Sequence, residues 1–170
     1  MRETGLPASI DRLDVRITST LARVGVPVVR VALGIVFLWF GILKFFPGVS
    51  PAETLAARTI EELTFGAVQP EASLPVLAAW ESAIGIGLIL NRWMRGVLFL
   101  LAVQMAGTFT PLILFPSETF TVWPIVPTLE GQYIIKNIVL IGAAMVVGAT
   151  VRGGGLTAEP PAARAANAEG

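Results

Sequence analysis

Four stretches of this chain, Val28–Phe46, Leu74–Leu90, Met94–Phe115 and Tyr133–Val151, stay apolar for long enough to cross a lipid bilayer as helices. A helix over the first of them rises about 28 Å, close to the thickness of the hydrocarbon layer. Inside that layer each backbone N–H and C=O must bond within the chain, and a helix satisfies them all. The expected fold is therefore all-α, a four-transmembrane-helix bundle. Composition agrees, because charged residues make up 14% of the 170, against about 25% in soluble domains.

The segments between the spans carry their own patterns. Ser9–Val24, "SIDRLDVRITSTLARV", places Ile10, Leu13, Ile17, Leu21 and Val24 at spacings of three and four. That predicts an N-terminal amphipathic helix with Ser9 at its cap, either lying on the membrane surface or packed on the bundle. Pro51–Phe65 predicts a short extracytoplasmic helix, seated against the membrane or the bundle by Leu55, Ile60, Leu63 and Phe65. Pro111 is expected to bend or loosen the third span near its end, and the proline-rich run from Pro116 to Gln132 to form a loop with Phe120 and Trp123 at the interface. The chain divides into a cytoplasmic leader (1–27), a transmembrane domain (28–151) and a small, polar, disordered cytoplasmic tail (152–170). The leader has no cleavable-signal pattern, so the first span is expected to remain as an anchor.

Positive charge sets the expected orientation. With both termini in the cytoplasm, that side holds Arg2, Arg12, Arg16, Arg23, Arg30, Arg92, Arg95, Arg152 and Arg164, while the other holds Lys44, Arg58 and Lys136. The asymmetry favours both termini inside.

Several functions are excluded. The formal net charge is zero, so there is no basic surplus for nucleic acid. With no Cys and no His, thiol chemistry, disulfides, histidine-ligated haem and iron–sulfur clusters held by cysteine fall away. The acidic residues are too scattered to suggest a carboxylate metal site.

The second span contains one carboxylate, Glu81, in "PVLAAWESAIGIGLIL". Facing lipid, it would carry a cost of several kcal/mol, so it is expected to turn inward toward a basic partner. Lys44 at the end of the first span and Lys136 near the start of the fourth lie at compatible depths. With Gln104 and Asn137 they form the candidate polar pocket, and Trp39 and Trp80 are its candidate aromatics. Three alternatives stay open: a fixed structural ion pair with the lysines reaching to the interface, a ligand or redox-partner pocket, or an ion or proton path. The threonines Thr108 and Thr110 are expected to bond their own helix. Gly34, Gly41, Gly85, Gly87 and Gly142 are expected to let helices approach closely.

"GIVFLWFGILKF", "WESAIGIGLIL", "GTFTPLILFP" and "EGQYIIKNIVLIGAA", in that order, resemble the DoxX-like superfamily of small membrane proteins, including its branch related to YkgB and the reactive-chlorine-resistance inner-membrane proteins. The resemblance implies a multi-pass protein of the bacterial inner membrane. It carries the family's basic and acidic positions onto Lys44, Glu81 and Lys136, and associates the chain with quinone-linked redox or oxidative-stress systems. Any redox chemistry would belong to a quinone or to another subunit, so the chain is not expected to be catalytic alone. Two readings follow: a redox or stress-response subunit that binds a quinone or lipid-like molecule, or a non-catalytic structural or assembly subunit of a larger membrane complex. Membrane lipids are partners in both, with a redox or assembly partner as a candidate addition. A small transporter is a third reading, which would require oligomerisation.

Overall fold

In the computed structural model, the described residues are 8–50 and 53–158. Arg2, Pro51, Arg164 and the tail from 159 onward lie outside them. Helix α1 (Ala8–Leu43) is a single helix of 36 residues, about 54 Å long at 1.5 Å per residue. The expected leader helix and the first span are thus one continuous rod. Pro27 lies inside it and removes one backbone bond without ending it. Ser9, expected as a cap, is already within the helix, and the stripe from Ile10 to Val24 remains exposed.

Short helix α2 (Glu53–Leu63) follows a turn, with Leu55, Ala57 and Thr59 buried. Leu55 is packed against the bundle, whereas the bundle does not cover Phe65, which is 98% exposed. Its positive φ of 52° lies in the left-handed region that bulky side chains disfavour.

Span α3 (Pro70–Leu90) starts four residues earlier than expected because Pro70 fits the first turn, where its missing N–H costs no helical bond. Its C-terminus is closed by Asn91 in the left-handed conformation, whose N–H reaches Gly87 O and Leu88 O. Arg30 of α1 adds a second closure, donating to the carbonyls of Leu88 and Ile89. Side-chain donors at a helix C-terminus satisfy carbonyls that have no intrahelical partner.

Span α4 (Met94–Phe109) breaks at Thr110 and resumes as α5 (Pro111–Leu114). The helix is thus interrupted where Pro111 offers no N–H, and Thr110 keeps helical dihedrals of φ −60° and ψ −33°. Thr108 and Thr110 turn their hydroxyls back on Gln104 O and Gly107 O. The proline-rich run holds more order than a loop: α6 (Pro116–Thr119), then antiparallel strands β1 (Phe120–Val122) and β2 (Val126–Pro127). Trp123 at the hairpin tip is exposed and Phe120 half-buried. Span α7 (Leu129–Ala149) begins four residues before the expected start, because Thr128 caps it by accepting from Gly131 N.

The four spans close a ring in which α1 packs on α3 and α7, and α4 packs on the same two helices. The α1–α3 contact is the tightest. A Cβ on Gly85 would lie 2.5 Å from Leu38 N, and one on Gly41 2.7 Å from Ser82 N, so these glycines let the two backbones touch. Gly34 faces Gly85 O and Gly87 faces Val97. Gly142 differs, because a Cβ there meets nothing within 4 Å. Leu33, Phe37, Ile84, Leu88 and Leu101 form the centre of the packed core.

Candidate functional site

Glu81 lies on α3 about 16 Å along the axis from Pro70, near the middle of that helix. It is 8% exposed and turned away from lipid. The close α1–α3 packing brings it beneath the end of α1, where Lys44 sits one residue past the helix. Lys44 Nζ is 2.7 Å from Glu81 Oε2, and the same amine approaches Phe40 O at 3.4 Å. From α4, Gln104 Nε2 donates to Glu81 Oε1 at 2.9 Å. Both carboxylate oxygens therefore have a donor, and three spans meet at one side chain.

This set is one part of the wall of a cavity of about 620 Å³. The cavity lies at the end of the bundle that carries α2. Leu55, Ile60 and Leu63 of α2 line it on one side, Phe40 and Trp80 on others, and Asn137 on α7. Most of its surface is apolar. Such a space, with a few polar groups at fixed points, suits an elongated amphiphile better than an ion.

Of the residues expected from sequence, Lys44, Glu81, Gln104, Lys136, Asn137 and Trp80 all line this cavity. Lys44, Glu81 and Gln104 touch one another. Lys136 does not join them: among the described residues it forms no ion pair, and its ammonium lies 5.8 Å from the centroid of the Tyr133 ring. Trp80 faces the cavity and donates from Nε1 to Leu100 O at 3.2 Å. Trp39 does not belong to the site. It is 65% exposed on the outer face of α1, because the helix turns Phe37 inward at that level and leaves Trp39 to lipid.

Sequence reasoning missed the contribution of α2. Arg58 is bonded to Glu118 at 2.6 Å and lies 4.5 Å from the centroid of the Phe115 ring. It thus ties α2 to the segment following α4. The signal was visible as an arginine four residues ahead of Glu62 on a short amphipathic helix, but its partner lies sixty positions away. Among the described residues, no group of three His, Cys, Asp or Glu side chains could hold a metal ion.

The model of the DoxX family matches residues 25–115, more than half of the chain. The protein belongs to the DoxX family. The matched residues include Lys44, Glu81 and Gln104, so the three-helix junction lies wholly inside the part that this DoxX-family chain shares with its family. Lys136 and Asn137 lie beyond it. Neither the curated proteins nor the solved structures compared with the chain include a match. Four helices long and apolar enough to span a membrane, together with the family, make it a multi-pass membrane protein in contact with lipid.

Proposed function

We propose that the protein is a small inner-membrane subunit of a redox or oxidative-stress system, and that it binds a quinone or another lipid-like amphiphile in the cavity beneath α2. The observation that carries the ligand part is the cavity itself: about 620 Å³, apolar on most sides and lined by residues of the spanning helices. Its volume falls within the range of small-molecule sites. The redox part is supported by family membership and by the sequence resemblance. The chain has no Cys or His, so electrons would pass between the bound molecule and a partner protein.

The distribution of arginines supports a bacterial cytoplasmic-membrane protein with both termini inside. In that orientation α2, the hairpin and the cavity lie toward the outer surface. A ligand would enter from the bilayer or from the outer leaflet.

The test is an equilibrium titration of the purified, detergent-solubilised protein with a decyl-substituted benzoquinone, followed by calorimetry and by thermal unfolding. Saturable binding with a rise in Tm is the expected result, because a ligand that binds the folded state alone stabilises it. Binding that never saturates above the detergent background would refute the ligand reading.

A further inference from the structure

We infer that the protein self-associates through the N-terminal half of α1, which pairs side by side and in parallel with α1 of a second copy. The contact is the apolar stripe from Ile10 to Val24, and it stands apart from the cavity and its ligand.

Helix length sets the problem. Helices α3 and α7 have 21 residues each, about 31 Å, which matches the hydrocarbon layer. Helix α1 has 36 residues, and Arg30 marks the level at which α3 ends by donating to Leu88 O and Ile89 O. From there back to Ala8 the helix continues for about 33 Å. The polar headgroup layer takes up only about 5–8 Å of that length. Because α1 is unbroken through Pro27, its first half cannot turn through the right angle needed to lie in the membrane surface while its second half crosses the bilayer.

The projecting part nonetheless carries an apolar face. Ile10, Leu13, Ile17, Leu21 and Val24 are between 40% and 59% exposed. Leu156 approaches α1 at Gly25, and Leu21 and Val24 stay exposed beside it. The bundle thus leaves the stripe to water unless a further helix covers it.

The residue types in the stripe name that helix. Ile10, Ile17 and Val24 are seven apart, as at position a of a heptad, and Leu13 falls at d. Branched residues at a with leucine at d favour a parallel, two-stranded pairing. The next d position is Thr20, whose hydroxyl is bonded to Arg16 O of its own helix, and Leu21 adds apolar surface next to it. In the same frame Asp14 occupies e, while Arg16 and Arg23 occupy g, the positions that flank the seam. Among the described residues these three side chains make no ion pair.

The membrane supplies the direction. Copies inserted in one orientation present α1 in parallel, so the acidic edge of each helix faces the basic edge of the other. An antiparallel pair would set like edges together. A seam this short would not hold two free peptides, but the spans confine and align both copies, which raises their effective concentration.

The test uses the full chain in liposomes at low protein-to-lipid ratio. The sequence has no Cys, so a single introduced thiol reports on one position. Under mild oxidation I17C and V24C should form disulfide-linked dimers, whereas S19C, on another face of α1, should stay monomeric. Adding D14R to I17C should slow cross-linking by about tenfold or more, because like charges then meet across the seam. The exchange D14R/R16D should restore it. None of these positions is buried, so the bundle is left intact. Absence of the I17C dimer, equal cross-linking at S19C, an unchanged rate with D14R, or an exchange no better than D14R would each overturn the inference. An I17C thiol that forms no dimer yet is shielded from a water-soluble maleimide would overturn it in favour of the membrane surface.

Discussion

The Lys44 ammonium and the Glu81 carboxylate meet at 2.7 Å, joining the end of the first span to the middle of the second. Both side chains are 11% exposed, so neither can turn to water if its partner is lost. Breaking such a pair from one side leaves an uncompensated charge and is expected to cost about 3–5 kcal/mol. K44A and E81A should each lower the unfolding free energy by that order, measured by denaturant titration in mixed micelles. The double variant K44M/E81L, which removes both charges and fills the space, should recover most of the loss.

Helix approach gives a second prediction. A methyl group on Gly85 would press on Leu38 N at 2.5 Å, whereas at Gly142 it would meet nothing within 4 Å. G85A should force α1 and α3 apart and destabilise the fold by roughly 1–3 kcal/mol, the usual cost of overpacking. G142A should be neutral or stabilising by up to about 1 kcal/mol, because alanine is the better helix former. Parallel thermal unfolding of the two proteins checks both signs.

Arg30 closes the opposite end of the same helix pair by donating to the carbonyls of Leu88 and Ile89. R30M keeps much of the side-chain length and removes the donors. The expected loss is about 1.5–3 kcal/mol, as for hydrogen bonds made by a charged group. Hydrogen exchange should locate it, with protection falling first in the last turn of α3.

Phe65 holds a φ of 52° while 98% exposed. It makes almost no packing contact that would offset the strain of that backbone. F65G should therefore raise stability by about 1 kcal/mol, read from the midpoint of chemical unfolding. A fall in stability would mean that the ring is held by something the isolated chain does not show.

The sequence made the Lys44–Glu81–Gln104 junction legible for a simple physical reason. A carboxylate among lipid-soluble residues must turn inward and find donors, and few donors existed at that depth. The ring of four spans was equally visible in the apolar runs. Rotation about each helix axis was not, and rotation decides whether a side chain at the right depth reaches the site. Lys136 and Trp39 show this: the depths were compatible, yet Lys136 stacks on Tyr133 and Trp39 faces outward. The continuity of α1 through Pro27 was hidden as well, because a proline in a helix and a proline between two helices read alike in one sequence. The small hairpin at Phe120–Pro127 was obscured by its prolines, which suggest only that a helix is absent.

The most direct test of the ligand-binding account uses Trp80, which faces the cavity. A variant with Trp39, Trp93 and Trp123 replaced by phenylalanine leaves Trp80 as the only tryptophan of the four, and its fluorescence can be titrated with the decyl-substituted benzoquinone. The account predicts quenching that saturates at a single site and is relieved by an excess of an uncharged, non-quenching carbonyl analogue. Quenching that rises linearly with probe concentration and ignores the analogue would contradict it.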